Sequence, residues 1–313
     1  MTTKPSRTLA QLKRDFPTDD ACKTHLAEMR WPDGKTACPR CGETQRVYAL
    51  RTRPFHWVCK NTSEECPGVY RFSVLTGTVF ENTNVPLRMW FEVLYLMSQS
   101  KKGISALQIH RMIDPVRGAT GSYKTAWYMC HRIRAAMRDG TFRRLTGAVE
   151  VDETFIGGKA KNRHGGGTGG GRGRGQGGTG AVHKAAVIGA IARKGNGVCQ
   201  MIENTQAATL NAFVHETVSD KVKLVATDEY VGYKHLRSLG YPHETVSHTR
   251  GEYVRGNVHT ANLDSFWSLL KRGVIGTFHK VSKDHLPLYL NEFSFRHNHR
   301  NDPDIFDAIL AGC

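Results

Sequence analysis

Residues 148–156 read AVEVDETFI, and this stretch decides the fold. Polar and apolar residues alternate along it, and branched and aromatic side chains are frequent, so the pattern predicts a β-strand. Asp152 stands inside this strand rather than at its end. The sequence therefore predicts a domain built around a sheet, with a candidate functional carboxylate on that sheet.

Further strands and helices are predicted on the carboxyl-terminal side of this stretch. Residues 185–193, 198–202, 222–227 and 243–247 are predicted strands, and residues 206–218 and 261–272 are predicted helices. This order favours an α/β fold in which the first and fourth strands are neighbours in a mixed sheet flanked by helices. Such a layout is that of a ribonuclease-H-like fold.

Three aspartates follow this framework at wide spacing. Asp152 lies in the first strand, Asp228 directly follows the fourth, and Asp264 lies on the last helix, with 75 and 35 residues between them. Lys271 is seven residues beyond Asp264, so both share one helix face, about 20° apart. Carboxylates are the ligands that Mg²⁺ prefers. We expect the three acids to hold two Mg²⁺ or Mn²⁺ ions and Lys271 to reach a phosphate.

Four other polar residues stand next to these candidates. Glu150, Glu153 and Glu229 are interpreted as supporting or surface groups, and His259 as a hydrogen-bonded histidine that could help to position substrate.

The composition favours a basic, globular protein that binds a polyanion. The chain has 313 residues and a formal charge of +16, of which residues 1–148 carry +12. Lysine and arginine bind DNA phosphates with release of counterions, although a basic surface without a specific partner would have the same composition. No apolar run approaches the roughly 20 residues of a membrane helix. We expect a cytoplasmic, nucleoid-associated protein with no membrane segment.

Four of the eight cysteines form a predicted zinc site. Cys38 and Cys41 have the two-residue spacing of a zinc knuckle, and Cys59 and Cys66 follow after two predicted strands at residues 46–50 and 55–58. Four thiolates leave no open coordination position, so one structural zinc in a zinc ribbon is expected. The other four cysteines are interpreted as small buried hydrophobic residues: Cys22, Cys130, Cys199 and Cys313.

A helical segment follows the predicted ribbon. Helices are expected at residues 86–99, at 105–113 with Ser105 as the cap, and at 122–138 with Ser122 as the cap, separated by a turn at 115–121. The order is that of a helix-turn-helix, and a basic surface helix is the competing interpretation. The predicted DNA-binding residues are Lys124, Arg132, Arg134 and Arg138, together with Lys271 and Arg272 near the acids.

Glycine interrupts the catalytic domain. Eleven of the sixteen residues from 165 to 180 are glycine, so we expect a flexible insertion at 162–182, with Arg172 and Arg174 near DNA or simply in a tether. The predicted domains are a helical segment at 1–33, the zinc ribbon at 34–82, the helical DNA-binding segment at 83–146 and the catalytic domain at 147–313.

Several motifs resemble those of bacterial insertion-sequence transposases of the ISXO-like group. In the catalytic half they are VEVDETFIGGK at 149–159, TDE at 227–229, HTANLDSFWSLLKRG at 259–273 and YLNEFSFRHN at 289–298. In the front half they are CPRC at 38–41, TGTVF at 76–80 and KTAW at 124–127. The resemblance covers most of the chain.

The resemblance implies a DDE-type transposase acting on double-stranded DNA. The ribbon and the helical segment would bind the terminal inverted repeats, and Asp152, Asp228, Asp264 and Lys271 would serve Mg²⁺-dependent cleavage and strand transfer. Asp264 stands where the group usually has glutamate. Because two ends must be brought together, a homodimer or larger assembly is expected. Two alternatives stay open: a catalytically silent DNA-binding descendant, and a nuclease without strand transfer.

Overall fold

A computed structural model describes residues 7–113, 122–138, 143–157, 184–247, 251–252, 254–256 and 258–313. The chain divides into two compact units, one made of Met1–Arg138 and His299–Cys313 and the other of Asp139–Asn298. The predicted turn at 115–121 and the predicted glycine-rich insertion lie outside the described residues. The described helices are all too short or too polar to span a lipid bilayer.

The carboxyl-terminal helix, α9 (Ile305–Ala311), belongs to the first unit. The sequence instead predicted one domain from 147 to 313. The difference arises from packing, because the Phe306 ring stands edge-on to Phe91 at 5.6 Å and helps to complete the apolar core of that unit.

The first unit begins with two helices and a small sheet. Helix α1 (Leu9–Asp15) and helix α2 (Asp19–Arg30) are capped by the side chains of Thr8 and Thr18. An antiparallel sheet follows, with strands in the order β1 (Val47–Ala49), β2 (His56–Cys59) and β3 (Tyr70–Ser73). The first two strands confirm the prediction, whereas the third was not predicted.

Three further helices follow in the first unit: α3 (Leu87–Gln99), α4 (Ala106–Met112) and α5 (Tyr123–Ala136). The Ser105 side chain accepts a hydrogen bond from the Gln108 amide at 3.1 Å, which confirms the predicted cap of α4. Ser122 stands at the cap position of α5, although its side chain makes no capping hydrogen bond to a described residue.

A five-stranded mixed sheet forms the centre of the second unit. Its strands are β4 (Ala148–Ile156), β5 (Ala185–Ala192), β6 (Gly197–Ile202), β7 (Leu224–Thr227) and β8 (His243–Thr245), in the spatial order β6-β5-β4-β7-β8. Strand β4 pairs antiparallel with β5 and parallel with β7. The predicted adjacency of the first and fourth strands is confirmed, and the layout is compatible with a ribonuclease-H-like fold.

Helices cover both faces of this sheet. Helix α6 (Ala207–Thr217) packs with Val149 and Val151 of β4 in one buried cluster. Helices α7 (Ala261–Gly273) and α8 (Leu286–Asn298) form a second cluster with Ile156. Because successive strand residues point to opposite faces, the even-numbered residues of β4 face α7. Those residues include Glu150 and Asp152.

Gly189 allows α7 to lie close to the sheet. It pairs with Asp152 across the β4–β5 ladder. A Cβ atom on Gly189 would stand 2.8 Å from the indole of Trp267 and 3.2 Å from a methyl group of Leu263. The missing side chain therefore makes room for the Trp267 ring beside Asp152.

We predict that Gly189→Ala destabilises the protein by about 1–3 kcal/mol, the usual cost of overpacking a core. Urea unfolding midpoints would measure the loss. Gly276→Ala is the matched control, because a Cβ at Gly276 has no neighbour within 4 Å among the described residues. Equal midpoints for Gly189→Ala and the wild-type protein would contradict the proposed close approach.

Candidate functional site

Asp152 and Asp228 are neighbours on parallel strands. Glu150 of β4 lies opposite Ala226 of β7, so two residues further along the strands Asp152 stands beside Asp228. The amide of Tyr230 donates a hydrogen bond to Asp228 Oδ1 at 3.0 Å, which orients this carboxylate. The strand register thus places two of the three predicted acids side by side.

Helix α7 brings the third acid to the same place. Asp264 lies in the first turn of α7, and Trp267, less than one turn further on, donates its indole N–H to Asp152 Oδ2 at 3.0 Å. Asp152, Asp264 and Lys271 line one cleft of about 440 Å³. Its other lining residues are Glu153, Thr154, Trp267, Ser268, Arg272 and Ile275.

The electrostatics of Asp152 reflect this crowding. The pKa of Asp152 is raised from 3.8 to about 7, first by burial and then by the charges of Glu153, Asp228 and Asp264. The Trp267 hydrogen bond lowers it. Asp228 is therefore close enough to act on Asp152, although it does not line the cleft itself. A bound cation would offset the repulsion among these carboxylates.

The donor set fits hard divalent cations. Carboxylate oxygens are the usual ligands of Mg²⁺, which binds through one or two carboxylates and keeps several waters. Within the described residues, the cysteine cluster below is the one group of three or more potential ligands gathered for a single ion. The three acids are therefore spread more widely than the four cysteine sulfurs.

Glu150 and Glu153 are a buried and a half-buried group beside the candidate acids. Glu150 is fully buried and accepts hydrogen bonds from Arg193, Asn262 and Leu263. Glu153 accepts a hydrogen bond from the Tyr233 hydroxyl at 2.6 Å. No local sequence signal could have shown these partners, since they are 43 to 113 positions away in the chain.

Two further polar contacts surround the acids. Glu229 is exposed and accepts a hydrogen bond from the Ser247 hydroxyl. The Thr227 hydroxyl donates to the Asp228 carbonyl at 2.7 Å and bonds Nε2 of buried His243 at 2.9 Å, which supports the end of strand β7. Burial lowers the pKa of His243 to about 4, so this imidazole is neutral at physiological pH.

The predicted DNA-binding arginines of α5 need correction. Arg134 is only 1% exposed, and this burial contradicts a direct contact with DNA. The Arg132 guanidinium donates to the Glu81 carbonyl at 3.1 Å and lies over the ring of Tyr128, so it is engaged within the protein. Lys124 and Arg138 are exposed, as are Lys271 and Arg272.

The four predicted zinc ligands lie together. The sulfurs of Cys38, Cys41, Cys59 and Cys66 are all within 4.8 Å of one another, and those of Cys41 and Cys59 are 3.8 Å apart. A tetrahedral zinc with Zn–S bonds of about 2.3 Å separates its sulfurs by about 3.8 Å. The side-chain amide of Asn61 donates to Cys41 at 3.5 Å. This geometry fits one structural zinc ion.

The four cysteines of this cluster can all be thiolates at once only if a cation is bound between them. The Asn61 hydrogen bond is the main cause that lowers the pKa of Cys41 to about 7. Burial, followed by the neighbouring cysteines, raises the pKa of Cys66 to about 12. Zinc binds thiolates, so it would supply the charge that holds Cys66 deprotonated.

Comparison with known proteins identifies the family. The ISXO2-like transposase domain matches residues 144–298, and the transposase zinc-ribbon domain matches residues 17–66. An uncharacterized protein in transposable element ISH50 of Halobacterium salinarum is 31% identical over 290 residues, which cover 90% of this chain and 92% of the relative. The chain belongs to the ISXO2-like transposase family.

A second relative of this transposase covers a smaller part of the chain. An uncharacterized transposase-like protein of Haemophilus influenzae is 28% identical over 98 residues, which are 31% of this chain and 77% of the relative. The domain match at 144–298 nearly coincides with the second compact unit of the transposase, Asp139–Asn298. The family assignment and the division of the fold therefore agree.

We predict that Asp152→Asn stabilises the transposase when no Mg²⁺ or Mn²⁺ is added. Folding raises the pKa of this carboxyl from 3.8 to about 7, so the folded state holds its proton more tightly than the unfolded state does. The free energy of unfolding therefore falls as the pH rises from about 4 to 7. The variant should therefore melt higher than the wild-type protein at pH 8, by about 2–4 °C for each kcal/mol of repulsion removed.

The melting difference should shrink when both proteins are measured at pH 5, where the wild-type carboxyl is mostly protonated in the folded state. Thermal melts at the two pH values with equimolar zinc test this. A variant that melts lower than the wild-type protein at pH 8 would contradict the crowding of charge at Asp152.

We also predict that Cys38→Ser loses the structural zinc and destabilises residues 38–80. A serine oxygen is a poor replacement for one of four thiolates, and a ribbon of this size depends on its metal for folding. Zinc content by mass spectrometry and protease sensitivity of the ribbon would measure both effects. Cys22→Ser is the control, because Cys22 lies outside the cluster. One equivalent of zinc retained by Cys38→Ser would disprove the ribbon assignment.

Proposed function

We propose that this transposase binds the terminal inverted repeats of an insertion sequence, cleaves the DNA at those ends and joins them to target DNA. One observation carries the proposal: Asp152 and Asp264 line a cleft together with Lys271, and Asp228 acts on Asp152 from the neighbouring strand. A carboxylate cluster beside a cation at a sheet edge suits phosphoryl transfer on a polyanion.

The three acids would hold two Mg²⁺ or Mn²⁺ ions. When bound, the ions supply a Lewis acid at the scissile phosphate and lower the pKa of the attacking water or 3′-hydroxyl. In the transfer itself, the attacking oxygen forms a bond to phosphorus as the opposite phosphorus–oxygen bond breaks. No covalent intermediate with a protein side chain is needed.

The side chains around the cleft orient the ligands. Trp267 holds Asp152 by its indole N–H, the Tyr230 amide holds Asp228, and the Thr260 hydroxyl donates to Asp264 Oδ2 at 3.2 Å. Each carboxylate thus keeps a fixed direction before DNA arrives, which lowers the reorganisation needed for the reaction. Above pH 7 the Asp152 carboxylate is also deprotonated and ready to bind a cation.

Exposed cations supply the contacts to DNA. Lys271 and Arg272 lie at the cleft and would bind phosphates next to the scissile bond. In the first unit, exposed Lys124 and Arg138 and the zinc ribbon would bind the terminal repeats. Because joining two ends requires both to be held at once, the active species would be a homodimer or a larger assembly.

We predict that Asp152→Asn, Asp228→Asn and Asp264→Asn each reduce cleavage and strand transfer at least about 1000-fold, because each removes a charged ligand from the metal site. Binding to the terminal repeats should be unchanged, since the predicted repeat-binding residues lie in the other unit. The assay measures the joining of labelled transposon ends to a plasmid, with gel-shift titration for binding.

Asp220→Asn is the matched control, because the Asp220 carboxylate is an exposed surface group in the same unit. Its ion pair with Arg144 spans 3.7 Å. This variant should keep full activity. If purified Asp228→Asn still joined ends to the plasmid, the site assignment would be wrong. If the wild-type protein released cut ends without joining them, the protein would be a nuclease rather than a strand-transferring enzyme.

A further inference from the structure

Glu150 is a buried carboxylate with a complete set of hydrogen-bond donors. Its side chain is fully buried. Oε1 accepts from Arg193 Nε at 3.1 Å and from the Asn262 side-chain amide at 2.8 Å. Oε2 accepts from the backbone amides of Asn262 at 2.9 Å and Leu263 at 3.1 Å. Oε1 also lies 3.1 Å from His259 Nδ1. Each oxygen therefore accepts at least two hydrogen bonds, which compensates for the loss of water around the charge.

These contacts make Glu150 the cap of helix α7. The first amides of any α-helix lack partners within the helix, and a serine, threonine or aspartate just before it usually provides one. Thr260 stands at that position in α7, but its side chain does not cap a described amide. Glu150, 112 positions before Asn262 in the chain, takes its place from strand β4. A negative charge there also suits the helix dipole.

Arg193 extends this anchor to His259, the residue before the N-cap position of the helix. Its Nη2 donates to the His259 carbonyl at 3.1 Å, while its Nε donates to Glu150. The entry of the chain into α7 is thus bound to the sheet by one ion pair and by the backbone.

Trp267 provides a second anchor at a matching distance. It donates to Asp152, two strand residues beyond Glu150, which corresponds to about 6.6 Å along β4. From Leu263 to Trp267, the helix rises about 6 Å. The two contacts are nearly as far apart on the helix as they are on the strand, so together they fix both the position and the direction of α7 along β4. Asp264, one residue after Leu263, is carried on this fixed helix.

We propose that Glu150 is a positioning residue that sets the distance between the Asp264 and Asp152 carboxylates, and so the metal preference of the site. This inference rests on the proposed function. Mg²⁺ demands near-ideal octahedral geometry, so a site whose ligands are loosely placed loses Mg²⁺ first. A shifted α7 would also move Lys271 relative to Asp152.

Glu150→Gln is the decisive variant. Glutamine keeps the shape of the side chain. Its amide nitrogen, however, carries two N–H donors, and these would face groups that donate hydrogen bonds to Glu150 in the wild-type protein. Loss of a group that orients metal ligands typically weakens metal affinity or activity about 10–100-fold. We expect Mn²⁺ affinity, measured by the electron paramagnetic resonance of free Mn²⁺, to fall by at least about tenfold.

The activity of the variant separates positioning from simple instability. The rate with Mg²⁺ should fall at least about tenfold further than the rate with Mn²⁺, while the KM for DNA stays unchanged. Partial unfolding would instead reduce both rates by the same factor. Glu216→Gln is the matched control, because Glu216 is exposed on α6 in the same unit. It should match the wild-type protein in all three measurements.

Asn262→Ala provides a second route if Glu150→Gln does not fold. Asn262 is exposed, and its replacement removes one of the four donors while the backbone contacts remain. It should shift the Mg²⁺-to-Mn²⁺ rate ratio in the same direction by a smaller factor. The double variant Glu150→Gln with Asn262→Asp should recover part of the loss, because the new amide can donate to the new carboxylate.

Two results would overturn the inference: Mn²⁺ affinity equal to the wild-type value in Glu150→Gln, or equal losses of the two rates. Failure of the proposed function would look different. A wild-type protein that neither cuts nor joins DNA would refute that function, whereas the Mn²⁺ titration would still decide the role of Glu150.

Discussion

The repulsion between the carboxylates gathered around Asp152, on the central strand of the sheet, is the constraint on which the second unit depends. Asp152 is flanked by Asp228 on the next strand and approached by Asp264 from the helix above, and its pKa is raised to about 7. Acids on mobile loops would move apart. These acids stay together because β4 is hydrogen-bonded on both sides, to β5 and to β7. Under the proposed function, this arrangement would hold the acids ready for cations at a cost to the stability of the metal-free protein.

The alternation of strand β4 satisfies this constraint and the hydrophobic core together. Val149 and Val151 point to the side of α6 and are fully buried in an apolar cluster. Glu150 and Asp152 point to the side of α7, where each has a helix donor as partner. The buried valines thus alternate with the two carboxylates over residues 149–152 of the strand. The side of α7 can accommodate these carboxylates because α7 supplies backbone amides and an indole N–H to them in addition to its apolar side chains.

The sequence predicted the strands and helices that carry this site better than it predicted the contacts between their side chains. The adjacency of Asp152 and Asp228 followed from strand order, because the first and fourth strands were expected to be neighbours in the sheet. Gly189 and Trp267 gave no such signal, since a glycine in a strand and a tryptophan on an apolar face have many explanations. The side-chain contact between Trp267 and Asp152 spans 115 positions. Arg134 was misjudged for the same reason, because tertiary packing rather than residue type decides which side of α5 is buried.

The two candidate metal sites differ in how much of the fold each one requires. The four cysteines lie within 29 residues and stand at the spacing of a single ion, so a short segment and its zinc can determine each other. The three aspartates span 113 residues and come together only when β4, β7 and α7 have assembled. Soft thiolates close around a structural ion, whereas hard carboxylates held apart by the sheet and α7 leave room for waters and phosphate. Local sequence is thus enough to bring the cysteines together, whereas the carboxylates come together only through tertiary contacts. The hydrogen bonds of buried Glu150 to the start of α7 are one of those contacts.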